Sequence, residues 1–129
     1  MSGKLLDTNI ALFALGAPGR LSTAAKTALE TGPNLLSVVT YWEVTLKCAK
    51  GALDIDDPRE WWQDALVRLT ATPLALRPEH ISEAHRLPQH HKDPFDRVLV
   101  AQAVAENLAL VTSDRELSRY ASQDLKVIR

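Results

Sequence analysis

The sequence predicts a three-layer α/β fold in which helices cover both faces of a parallel sheet. Three observations carry this. Five short apolar runs are continuous rather than alternating, which suits strands buried on both faces. Longer stretches of helical spacing separate these runs. Several of those stretches open on recognisable capping residues, so strands and helices alternate as in βαβ units with right-handed crossovers.

The strand runs are, in order, Lys4 to Leu6, Leu35 to Val39, Leu74 to Leu76, Leu108 to Thr112 and Leu125 to Ile128. Ser22 caps a helix that runs to about Thr31. Thr40-Tyr41-Trp42-Glu43 has the form of a capping box ahead of a helix over Val44 to Lys50, which Gly51 stops. Asp57-Pro58-Arg59-Glu60 places a capping acid, a first-turn proline and a third-position glutamate before a helix from Trp61 to Thr70. Asp93-Pro94-Phe95-Asp96 repeats that logic before Arg97 to Glu106. No repeat, linker or low-complexity segment divides the chain, and residues 1–129 read as one domain.

Composition bounds the function. Cys48 is the single cysteine, so an internal disulfide is excluded, and no apolar signal segment follows Met1. The longest apolar stretch, Val98 to Val111, is broken by Gln102, Glu106 and Asn107, short of the roughly 20 residues a membrane helix needs. A cytoplasmic protein without a membrane span is expected. The net charge of -1 lacks the basic excess of most nucleic-acid binders. Bound cations would invert the local charge of an acidic site, so this balance permits a polyanionic substrate.

Ligands of open α/β sheets bind beyond the carboxyl ends of the strands. Asp7 ends the first strand run, Glu43 follows the second, and Asp114 lies two residues beyond Thr112 at the end of the fourth. Asp96 shares a helical face with Leu99, Val100 and Ala103, which turns a carboxylate toward the core. Each acid alone also fits a local role. Glu43 and Asp96 suit capping boxes, Asp7 an Asx turn with Thr8 and Asn9, and Asp114 the first turn of a short helix capped by Ser113. Together they are harder to accommodate, because two bare carboxylates ~4 Å apart repel by about 4 kcal/mol at an effective dielectric of 20. Either some take up protons or hard cations sit among them, and oxygen-only ligands suit Mg²⁺ or Mn²⁺ rather than zinc.

Leu5-Leu6-Asp7-Thr8-Asn9, the stretch from Ser37 through Glu43 to Lys47 and Gly51, His91-Lys92-Asp93-Pro94-Phe95-Asp96-Arg97 with Ala101-Gln102-Ala103, and Leu110-Val111-Thr112-Ser113-Asp114 together resemble the PIN-domain family. Within it, they look like the VapC-type toxins of bacterial toxin–antitoxin pairs. The resemblance spans nearly the whole chain in order. It implies a PIN-like three-layer fold, a five-stranded parallel sheet flanked by helices, and an endoribonuclease that uses Mg²⁺ or Mn²⁺. Carried over by position, Asp7, Glu43, Asp96 and Asp114 match the acidic catalytic and metal-site positions, and Thr8, Asn9, Ser37 and Thr112 match polar supporting ones. Asp93 is an additional acid that reads as a supporting residue or a plain helix cap.

The chemistry expected is attack of a metal-activated water on an RNA phosphodiester, leaving 5′-phosphate and 3′-hydroxyl ends. Arg97 reads either as a bidentate phosphate grip or as the ion-pair partner of Asp93. The pair His90-His91, beside Asp93, reads as a solvated loop pair in preference to a substrate contact. Trp62, Leu66 and Leu69 form a core stripe, with Trp61 and Trp42 beside theirs. The resemblance further implies an RNA substrate, a cognate antitoxin protein and a homodimer. The alternatives are a phosphoacceptor receiver-like domain, for which Lys126 would have to serve near the last strand, and a non-catalytic binding module.

Overall fold

A computed structural model describes residues 3–129. Five parallel strands form one sheet: β1 (Lys4–Leu6), β2 (Asn34–Ser37), β3 (Ala71–Leu74), β4 (Ala109–Val111) and β5 (Val127–Ile128), in spatial order β3-β2-β1-β4-β5. Seven helices connect and flank them: α1 (Thr8–Gly16), α2 (Thr23–Thr31), α3 (Val38–Ala49), α4 (Pro58–Arg68), α5 (Pro78–Arg86), α6 (Pro94–Ala105) and α7 (Arg115–Ser118). A receiver-like sheet of order 2-1-3-4-5 is a different topology. None of the described helices is long and apolar enough to cross a membrane.

The continuous apolar runs have a direct cause, because neighbouring residues of each strand face opposite layers. Leu5 and Leu110 join Leu99, Val100, Ala103 and Leu117 on one side of the sheet. Leu6, Leu36 and Val111 join Ile10, Ala11, Ala25, Trp62 and Ala65 on the other. Leu5, Leu6 and Leu110 are fully buried, and each such side chain contributes about 1.5–3 kcal/mol. The central strand therefore anchors both cores.

Several boundaries differ from the sequence reading. The second strand stops at Ser37, whose hydroxyl caps α3 by accepting from the Val39 N–H at 3.0 Å. Thr40 and Glu43 thus lie inside the helix, and no capping box forms there. The third strand is Ala71–Leu74 instead of Leu74 to Leu76. It contains Pro73, which an edge strand tolerates because one side of its backbone needs no ladder partner. Helices α1 and α5 are additional to those expected. Ser22, Asp57 and Asp93 do cap α2, α4 and α6 with their side chains, and Gly51, at φ +75°, sits just past α3 in the left-handed region.

Candidate active site

The carboxyl ends of β1, β2 and β4 converge with the start of α6, and each contributes a carboxylate. Asp7 is the residue between β1 and α1, and its N–H donates to the Val111 carbonyl at 2.9 Å, extending the pairing of β1 with β4. Its side chain makes no cap hydrogen bond to α1. Instead, the Thr112 hydroxyl donates to Asp7 Oδ2 at 2.7 Å, while Thr112 Oγ1 accepts the Asp114 N–H at 3.0 Å. One buried threonine therefore ties two of the acids together. Asp114 is itself the cap of α7, accepting from the Glu116 N–H at 2.8 Å, in place of Ser113.

Glu43 lies one and a half turns into α3 and is buried. Thr8 Oγ1 donates to its Oε1 at 2.8 Å, and Lys47 Nζ meets its Oε2 at 2.7 Å. Thr8 and Thr40 hydroxyls lie 2.9 Å apart, so with its proton given to Glu43, Thr8 accepts from Thr40. Asp96 faces inward from the first turn of α6, beside the buried Leu99, Val100 and Ala103. Asp93 accepts from the N–H groups of Phe95 and Asp96 as the cap of that helix.

Electrostatics record how close these groups are. Burial, foremost, pushes Asp7 from the ordinary 3.8 to about 6; hydrogen bonds from Thr112 and the Thr8 backbone oppose this, and the charges of Glu43 and Asp114 add to it. Burial likewise raises Asp96 to about 7, reinforced by Asp7, Asp93 and Glu43 and opposed by His91. Carboxylates held above their usual range by burial and, secondarily, by one another's charge form a site that favours a cation.

His91 is the residue that sequence reasoning missed. It is no solvated loop residue: its Nε2 lies 3.2 Å from both Asp96 Oδ2 and Asp114 Oδ2. The three residues form a group with metal-ligand spacing, their donor atoms all within 4.8 Å of one another. The Asp93 N–H donates to His91 Nδ1 at 3.0 Å, so the neutral ring carries its proton on Nε2. That N–H stands between the two carboxylates where a cation would be favoured. His90 packs edge-on against Tyr120 with ring centroids 4.9 Å apart. The local signal was the two-residue step from His91 to Asp93, which lets an imidazole cap its own loop.

The remaining expected residues divide. Ser37 is buried and donates to Gln102 Oε1 at 2.6 Å. Asn9 is exposed on α1. Arg97 pairs with neither phosphate-facing space nor Asp93: its guanidinium donates to the carbonyls of Ala84, Leu87 and Pro88 and to Tyr120 Oη. Trp62 is buried and stacked on Tyr41, whereas Trp42 is 56% exposed and touches Phe95 edge-on.

Residues 4–123 match the model of the PIN domain. The chain is 29% identical over 122 residues to Ribonuclease VapC22 of Mycobacterium tuberculosis, covering 93% of each. Among solved structures, it superposes on DNA-bound VapBC of Salmonella typhimurium with a TM-score of 0.70 at 16% identity, covering 98% of this chain and 97% of that one. It also superposes on VapBC2 of Rickettsia felis, bound to a fragment of promoter DNA, with a TM-score of 0.68 at 17% identity and 96% of each chain covered.

Proposed function

Because the chain belongs to the PIN-domain family and is a homologue of the VapC-type toxins, we propose that it is a metal-dependent endoribonuclease, the toxin of a type II toxin–antitoxin pair. The observation that carries this reading is the cluster of Asp7, Glu43, Asp96 and Asp114, in which Asp7 and Asp96 are pushed up to about 6 and about 7. Such crowding favours a hard divalent cation, and the oxygen donors suit Mg²⁺ or Mn²⁺. Asp7, Asp96 and Asp114 would hold it, with Glu43 beside them. When bound, the cation supplies the positive charge that attracts a scissile phosphate and lowers the pKa of an attacking water.

The chain's own groups prepare that site. Thr112 holds Asp7 and Asp114 in one arrangement. Thr8 fixes Glu43, and the Asp93 cap sets the first turn of α6 and hence Asp96. With water as nucleophile, its oxygen forms a bond to phosphorus, the bond from phosphorus to the 3′ oxygen breaks, and that oxygen leaves as a hydroxyl. Products then carry 5′-phosphate and 3′-hydroxyl ends.

Solved structures of the same fold include toxin–antitoxin assemblies, which supports a cognate antitoxin as partner; a cytoplasmic location and a homodimer complete the proposal. The test is cleavage of total cellular RNA by the purified protein with Mg²⁺ or Mn²⁺, beside an EDTA control, with product ends mapped. Metal-dependent cleavage leaving 5′-phosphates is expected. Ends bearing 2′,3′-cyclic phosphate would overturn the mechanism, and a folded protein that neither cleaves RNA nor binds metal would return the acids to a non-catalytic binding role.

A further inference from the structure

We infer that Lys47 is a phosphate-binding residue of the substrate groove, its ammonium held at the rim of the acid cluster by Glu43; this rests on the ribonuclease reading. Lys47 follows Glu43 by four residues on α3, so both side chains emerge on one face of the helix. Among the described residues, it is the only lysine or arginine in ion-pair contact with the cluster. Arg97, the other nearby cation, is turned away onto backbone carbonyls.

The geometry leaves the ammonium available. Glu43 is its one partner, at 2.7 Å. A lysine ammonium has three N–H donors, so two remain. The side chain is 40% exposed whereas that of Glu43 is 5% exposed, which places the pair across the boundary between buried acids and solvent. Partial burial works against its charge. Contact with Glu43, and the charges of Asp93 and Asp96 beyond, outweigh that and hold its pKa above the ordinary 10.5.

A polyanion approaching four carboxylates gains from a fixed positive charge at their edge, independent of any bound cation. A second role for Lys47 as the neutraliser of buried Glu43 predicts a change in stability alone. Phosphate contact predicts a change in the salt dependence of RNA binding.

The experiment measures binding of a fluorescein-labelled, unstructured oligoribonucleotide in Mg²⁺ over a salt series, in an Asp7→Asn background that prevents cleavage. Lys47→Met and Lys47→Arg are compared with that parent, and thermal melts establish that each is folded. Lys47→Met is expected to bind about tenfold more weakly at low salt, and to flatten the slope of log K against log salt by about 0.7, the loss of one single-strand phosphate contact. Lys47→Arg should keep the parental slope. A folded Lys47→Met protein with an unchanged slope overturns the inference alone. If neither this parent nor the wild-type protein in Mg²⁺ binds or cleaves RNA, the ribonuclease reading falls and the inference with it.

Discussion

Helix α6 carries a buried polar cluster at each end, and the two are built on opposite terms. At its start, Asp96 has its proton affinity raised first by burial and then by the charges of Asp7, Asp93 and Glu43. Two turns on, Gln102 is fully buried and almost every polar atom around it is matched. Its Oε1 accepts from Ser37 at 2.6 Å, and its Nε2 lies 3.3 Å from both the Ala75 carbonyl and His80 Nδ1. His80, also fully buried, accepts from the Arg77 N–H at 3.0 Å and meets Glu106 at 2.9 Å through its other nitrogen. The second cluster joins β2, α5 and α6 and is satisfied internally. The first is left short of positive charge, and that deficit is what makes it a candidate for chemistry.

The comparison is broken most strongly by Asp7→Asn. Cleavage is expected to fall on the order of 10³-fold or more, while the metal-free protein becomes more stable above neutral pH. Asp7 binds its proton more tightly folded, at about 6, than at the ordinary 3.8. Its stabilising contribution is therefore full below about pH 4 and lost as pH rises through about 6, a difference of about 3 kcal/mol. Chemical denaturation of both proteins in EDTA checks this; an Asn protein less stable than wild type at alkaline pH would contradict it.

At the satisfied end, Gln102→Leu should act in the reverse sense. It strands Ser37, the Ala75 carbonyl and His80, and is expected to cost about 2–4 kcal/mol of stability, with cleavage per folded molecule changed less than about tenfold. Loss of activity without loss of stability would instead place the network within the catalytic machinery.

A smaller effect separates the ends by pH and metal in the wild-type protein. Raised Asp7 and Asp96 make the metal-free protein lose stability as pH climbs from about 4 toward about 7. Added Mn²⁺ should restore the melting temperature at the top of that range and do little at the bottom, where protons occupy the carboxylates. A Mn²⁺ response of equal size at both ends of the pH range would show that the ion binds elsewhere. Smallest, Thr112→Val removes the hydroxyl that serves Asp7 and Asp114. Calorimetry should show Mn²⁺ binding weakened by about tenfold, and unchanged affinity would make that hydroxyl purely structural.

Much of this architecture was legible from local pattern. Strands β1 and β4 and the caps Ser22, Asp57 and Asp93 follow from hydrophobic continuity and side-chain chemistry acting within a few residues. The edge strand with Pro73 was displaced because its pairing depends on lying at the rim of the sheet. His91 read as a loop residue because its partners Asp96 and Asp114 come from two different helices. Arg97 kept both its readings open until α5 brought carbonyls to its guanidinium.

What the sequence by itself determined is the family, the alternation of buried strands with capped helices, and which positions carry carboxylates, since these depend on residue type and spacing along the chain. Tertiary structure alone decided how those carboxylates are balanced: Thr112 under Asp7, Thr8 on Glu43 and His91 between Asp96 and Asp114. The physical reason is range. Caps and periodicity act over a few residues, whereas burial and Coulomb interaction depend on distance through space, which the sheet order sets only once the chain has folded.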